Sequence, residues 1–266
     1  MKKRSRCVVI LCSFFLGVMS LSMGCSPTNA KQANHDPKVK KSSMNVKNET
    51  ESPMIPSIDA ATPPSFETAS FGLGRFWGIE SRFGIIDGVI RTRVGYAGGR
   101  MNAPTYSNIG DHTETVQVDY DPERLTYAQL VDIFWQNHAP DTQSSSRQYM
   151  NAVFYHSEQQ RQLAVASIIA VEQKIGRTVE TKVVPIRSFT MAEDYHQKYL
   201  LNRYDVLKKE MTTIYPSRQD FVDSTAVARL NGYAGGNGTK DRLSEEIQRL
   251  GLSAEGKKAL TELVSN

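Results

Sequence analysis

Cysteine is nearly absent from this 266-residue chain: Cys7, Cys12 and Cys25 are the only three, and none follows residue 25. The first two fall in residues 1–24, which read as an export signal. Lys2, Lys3, Arg4 and Arg6 form a basic head, and the run V-V-I-L-C-S-F-F-L-G-V-M behind it is too short to span a bilayer comfortably. The segment closes on L-S-M-G-C, which resembles a lipobox with Ser22 where leucine is usual. Cys25 would then carry the lipid and become the first mature residue, placing the protein in the cell envelope, on the periplasmic face. An ordinary signal peptide cut nearby is the alternative. With residues 1–24 removed and Cys25 acylated, no free thiol and no disulfide remain.

An excess of one charge is also missing. The 32 basic residues exceed the 28 acidic ones only through the four in the export signal, so 28 would face 28 in the mature chain. That excludes a nucleic-acid footprint. Neither H-E-x-x-H nor C-x-x-C occurs, so no metal is expected. The membrane would be met through the lipid on Cys25, with an outer-membrane lean because Ser26, not aspartate, follows it.

What is present divides into segments. Residues 25–64, rich in Ser, Asn, Lys, Thr and Pro without hydrophobic period, read as a disordered tether. Residues 65–216 read as the folded domain. T-A-S-F-G-L enters as a strand, a helix starts near Phe76, and T-V-Q-V-D-Y alternates as a second strand. Thr126 can cap a helix reaching Asn137. Ser157 and Gln160 form a capping box for a longer helix that Gly176 ends. E-T-K-V-V-P-I is a further strand and residues 192–204 a further helix. Strands and helices alternate without a strict βαβ rhythm, so the class is α+β. Residues 217–266 predict a helical extension, with helices over 217–230 and 253–264, too small to bury a core unaided. Its N-G-Y-A-G-G repeats the G-Y-A-G-G of residues 95–99, which reads as a coincidence of two glycine turns.

The chemistry-bearing stretches are G-L-G-R-F-W-G-I-E, V-G-Y-A-G-G, P-T-Y, H-T-E-T-V, L-V-D-I-F-W-Q-N-H, R-Q-Y and A-E-D-Y-H-Q-K-Y-L. In this order, from Phe66 to about Tyr204, they resemble the peptide methionine sulfoxide reductases of the A type, which act on the S epimer. The resemblance implies a two-layer α/β sandwich around a mixed sheet, with a ferredoxin-like core. It also implies a chemistry without a cofactor: a cysteine at a helix N-terminus, its thiolate favoured by the dipole, attacks the sulfoxide sulfur. A glutamate protonates the departing oxygen, tyrosine hydroxyls hold it, and a Phe-Trp pair receives the methyl group. The resulting sulfenic acid is resolved through further cysteines and thioredoxin.

Carried onto this sequence, Phe76 and Trp77 would line the methyl pocket, Glu114 would be the acid, and Tyr106 and Tyr149 would donate hydroxyls. The nucleophile's position falls on Arg75, a permanent cation with no lone pair to attack sulfur. An aspartate expected before the second tyrosine reads Ser144, and Asp141 could take its place. No resolving cysteine is present, so thioredoxin is not expected as a partner. His112, His138 and His196 are expected to fix local hydrogen bonds. Arg75 is either a surface residue in a vacated position or an ion-pair partner of Glu114, in which case it would hold the acid deprotonated. Three functions follow: a degenerate, lipid-anchored family member that binds methionine sulfoxide in peptides or proteins; an active reductase repairing envelope proteins; or a structural lipoprotein with a vestigial pocket.

Overall fold

The computed structural model describes residues 55–265. The export signal, Cys25 and most of the expected tether lie outside the described residues. The sheet grows from period-two patterns. In β1 (Glu67–Gly72) Ala69 and Phe71 face one way, and in β3 (Thr113–Tyr120) Val116, Val118 and Tyr120 do likewise. The two strands pair antiparallel with Phe71 opposite Val116 and Ala69 opposite Val118, so both rows enter one core. β2 (Val89–Ala97) lies antiparallel on the far side of β3, after an irregularity between Val89 and Arg91. β4 (Ala152–Tyr155) pairs antiparallel with β1, and β5 (Lys182–Pro185) runs parallel to β4. β6 (Phe189–Met191) closes the other edge on β2. The order β5-β4-β1-β3-β2-β6 is a mixed sheet in an α+β fold.

Three helices complete the main core. Phe71 stacks between Phe83 of α2 (Phe76–Gly84), at 5.1 Å, and Phe134 of α3 (Tyr127–Trp135), at 5.2 Å. The capping box expected at Thr126 is present, with Gln129 returning the bond. Only half of the one expected before α4 (Glu158–Ile175) forms. Ser157 accepts from the Gln160 backbone, while the Gln160 side chain accepts from the His156 N–H instead. Gly176 ends α4 in the left-handed region, as expected.

The helix expected over residues 192–204 is instead two single 3-10 turns, Asp194–His196 and Leu201–Arg203. The Gln197 side chain between them pairs with the Val94 backbone, accepting from its N–H (3.1 Å) and donating to its carbonyl (2.8 Å). Lys198 follows at φ +52°. A side-chain amide standing in for a strand, beside a left-handed residue, is incompatible with a continuing helix.

The C-terminal region holds more than two helices. After α5 (Asp205–Ile214) come α6 (Arg218–Asp223), α7 (Thr225–Ala234), α8 (Lys240–Glu246) and α9 (Ala254–Ser265). The expected first helix is broken at Ser224, whose hydroxyl accepts from the Val227 N–H and starts α7 afresh. These helices share a second core, where Leu207, Met211, Phe221, Leu230 and Leu260 surround Ile85 at the end of α2. α7 lies so close to α2 that a Cβ on Gly84 would stand 2.5 Å from the Ala228 carbonyl oxygen. Buried Arg229 donates to the Gly84 and Ile86 carbonyls at 2.7 and 2.5 Å, giving α2 a cation at its C-terminus. Burial lowers the Arg229 guanidinium to about 10, against the pull of Glu246. The two G-Y-A-G-G copies differ in kind, since Tyr96 lies in β2 and Tyr233 in α7.

The disordered tether expected through residue 64 is corrected at its end. α1 (Ser57–Ala60) buries Ile58, and Asp59 binds the start of α7. Its carboxylate accepts from the Thr225 and Ala226 N–H groups, from the Ser224 hydroxyl (2.9 Å) and from the Tyr215 hydroxyl (2.6 Å). A carboxylate there acts as a helix cap supplied from a distance. Asp59→Ala is therefore expected to cost about 1–2 kcal/mol in urea unfolding; an unchanged midpoint would show that α1 contributes nothing to stability.

Candidate functional site

The site is built where β1 turns into α2. Gly74, at φ +80°, reverses the chain after Leu73. Arg75 follows in extended geometry as the N-cap residue, with no side-chain capping bond of its own. The cap comes from across the sheet. Glu114 of β3 accepts the Phe76 N–H at Oε2 (3.1 Å), and its Oε1 accepts from Gln148 (2.8 Å). Register places Glu114 opposite Tyr96 of β2, so both side chains rise from the same face under α2.

Glu114 is only 2% exposed, and burial raises its pKa above the ordinary glutamate range. The two hydrogen bonds and, least of all, the charge of Arg75 pull the other way. Of the two readings of Arg75, the ion pair with Glu114 is not among the ion pairs of the described residues. Arg75 is exposed, and its guanidinium carbon lies 6.0 Å from the Tyr149 ring centre. The idea that Arg75 keeps the acid deprotonated is overturned for the same reason. Burial outweighs the pull of those donors, so the net shift of the Glu114 carboxyl is upward.

The aromatic side chains gather beside it. Phe76 is buried against Tyr96 and Val94, with Trp77 and Tyr106 packed half-exposed around it. Buried His196 stands among them, its ring centre 5.1 Å from Phe76, 4.5 Å from Tyr106 and 5.7 Å from Trp77. Trp77 donates its indole N–H to His196 Nδ1 (3.0 Å) and stacks on Tyr199 at 4.0 Å. Glu193 accepts from the Tyr96 hydroxyl (2.6 Å) and the Tyr106 N–H (2.9 Å), which pins the P-T-Y loop over β2. The Tyr106 hydroxyl is held above the usual tyrosine range by burial, then by Tyr149 and Glu114.

Phe76, Trp77, Tyr106, Tyr149, Glu114 and Arg75 are thus brought into one neighbourhood. Asp141 is not; it is ion-paired with Arg177. His112 and His138 make local bonds, to Met101 and Gly99 and to Phe134 and Thr181 respectively. Gln148, Glu193 and Tyr199 were not singled out in the sequence. The R-Q-Y and A-E-D-Y-H-Q-K-Y stretches that contain them were, but nothing local shows which side chain turns inward. Among the described residues no group of three or more His, Cys, Asp or Glu side chains could hold a metal ion.

Aromatic faces suit a methyl or thioether group, while phenols and an un-ionised carboxyl can donate to a polar oxygen beside it. The arrangement would suit a small polar-tipped apolar group, on an α+β sheet at a helix start. The Peptide methionine sulfoxide reductase family profile matches residues 67–230, and the chain belongs to that family. It is 39% identical over 188 residues to a peptide methionine sulfoxide reductase of Drosophila melanogaster, covering 70% of this chain and 75% of the fly protein. A Methanosarcina mazei peptide methionine sulfoxide reductase MsrA is 42% identical over 144 residues, covering 50% of this chain and 68% of that one. Among solved structures, reduced Mxr1 of Saccharomyces cerevisiae matches with a TM-score of 0.50 at 28% identity, covering 54% of this chain and 88% of the yeast protein. The profile runs through α6 and into α7, so the family region extends past residue 216.

Proposed function

We propose that this chain is a lipid-anchored family member in which Arg75 stands at the nucleophile's position, reduction is lost and recognition of methionine sulfoxide is kept. Its layout reads as the family's two-layer sandwich with a ferredoxin-like core. The observation that carries the reading is the company Arg75 keeps: a helix start capped by Glu114, beside Phe76, Trp77 and Tyr106, with no cysteine among residues 55–265. The methyl group would lie against Phe76 and Trp77. The sulfoxide oxygen would take donors from Tyr106, Tyr149 and protonated Glu114. Without a thiol no sulfenic acid forms, and thioredoxin has nothing to reduce.

Calorimetry with a methionine-S-sulfoxide peptide tests this on the mature protein. Binding is expected for the sulfoxide and not for the thioether, with Trp77→Ala weakening it at least about tenfold, the scale of one lost aromatic contact. Equal heats from native protein and variant would end the reading and leave the pocket vestigial.

The same titration has a pH dependence. Because burial raises the Glu114 pKa, its proton persists above the ordinary glutamate range and leaves as pH rises through the shifted value. Affinity is therefore expected to be highest on the acid side and to fall as pH rises. A flat profile would show that Glu114 does not donate.

A further inference from the structure

A cleft of about 810 Å³ opens where Gly98, Met150 and Val184 meet, joined to this site through the turn Arg147–Tyr149, and its charge is one-sided. Arg100, Arg147, Lys182 and Arg187 line it against a single acidic side chain, Asp111. That carboxylate is already engaged: it accepts from the Arg100 N–H (2.8 and 3.0 Å) and the Met101 N–H (3.2 Å). Arg147 spends its donors on neutral acceptors, the Asp111 carbonyl (3.1 Å) and the Gly98 carbonyl (3.4 Å). Arg100, Arg147 and Arg187 appear in no ion pair among the described residues, and Lys182 meets Glu180 only at 3.9 Å on an exposed edge. Position links the cleft to the pocket. Arg147 opens the 3-10 turn Arg147–Tyr149, whose next two residues are Gln148, bonded to Glu114, and Tyr149.

From this placement we infer that the cleft is a subsite for acidic residues flanking the oxidised methionine, so that the protein selects sulfoxides within acidic, extended protein segments. Uncompensated cations in a concave surface gain by receiving carboxylates, and a cleft fits an extended chain better than a flat membrane. The protein's own residues 26–54 are poor occupants, since they carry five lysines against three acidic residues and would be repelled. The inference rests on the pocket reading above and gives it a substrate class.

Fluorescence polarisation with three labelled peptides tests it on the mature chain: methionine-S-sulfoxide flanked by glutamates on both sides, the same sulfoxide flanked by glutamines, and the glutamate peptide with unoxidised methionine. The acidic sulfoxide is expected to bind about tenfold tighter than the neutral one at low salt, and the gap should close as salt screens the cleft. Arg100→Glu combined with Arg187→Glu should abolish the gap and leave the neutral sulfoxide's affinity unchanged; both side chains are exposed. The salt series on the native protein keeps the test open should that variant misfold. Equal affinity for both sulfoxide peptides at every salt concentration overturns the subsite while leaving the pocket standing if Trp77→Ala still weakens them. Acidic peptides bound alike whether oxidised or not, and indifferent to Trp77→Ala, overturn the coupling and the pocket reading together. Tighter binding to phosphatidylglycerol vesicles than to any peptide would assign the cations to a membrane surface and overturn the inference.

Discussion

Arg75→Cys is expected to turn a blank into turnover. Assayed with dithiothreitol and a methionine-S-sulfoxide peptide, the native mature chain should stay at background, and the variant should exceed it by about a hundredfold or more, the scale on which a missing nucleophile is felt. The expectation comes from what surrounds the position. A thiolate there would lie at the first turn of α2, and burial shifts Glu114 toward the protonated form that a departing oxygen needs. The thiolate would bond to the sulfoxide sulfur as its oxygen is protonated. The oxygen would then pass to the cysteine sulfur as the new sulfur–sulfur bond breaks, so methionine leaves as its thioether and the cysteine is left as a sulfenic acid. The dithiol would reduce that to thiol and water and become a disulfide. Adding Glu114→Ala to Arg75→Cys should then remove about two orders of magnitude. Turnover by the native chain, or none by Arg75→Cys with the pocket binding normally, would each break the reading at a different point.

Lys198→Met is expected to be the most destabilising single change near the site. Lys198 and Glu80 are both fully buried, joined at 2.7 Å, and Lys198 Nζ also donates to the Thr92 carbonyl at 2.5 Å. Glu80 accepts further bonds from the Lys198 N–H (2.9 Å) and the Thr92 hydroxyl (3.2 Å). The pair ties α2 and β2 to the segment carrying His196, so it fixes what lies behind Trp77. Removing the lysine strands a carboxylate in the interior, at a cost of about 3–5 kcal/mol. Combining Lys198→Met with Glu80→Leu should recover most of that loss, because two apolar groups carry no uncompensated charge. Urea midpoints of the single and double variants decide it: a double variant as weak as Lys198→Met alone would place the loss in packing, not in the stranded charge.

What the sequence made legible was local. The start of α3, the glycine stop of α4 and the alternation of β3 depend on neighbours within four residues, and each was found where its signal stood. The failures share a reach beyond that window. Residues 192–204 show helical composition, yet Gln197 and Lys198 are committed to β2 and α2. Asp59 sits in a short proline-flanked segment and caps a helix 166 residues away. Pairing with Glu114 was one of two readings left open for Arg75, because sequence supplies proximity without direction. In the fold the carboxyl faces an N–H and an amide, and the guanidinium faces outward.

One detail at the start of α2 bears on how such a protein could arise. The helix draws its first hydrogen bond from Glu114 and its last grip from Arg229, and neither depends on what side chain position 75 carries. Both bonds would survive an exchange at position 75, so on the proposed reading chemistry could give way to recognition there in one substitution without a stability threshold standing in the way.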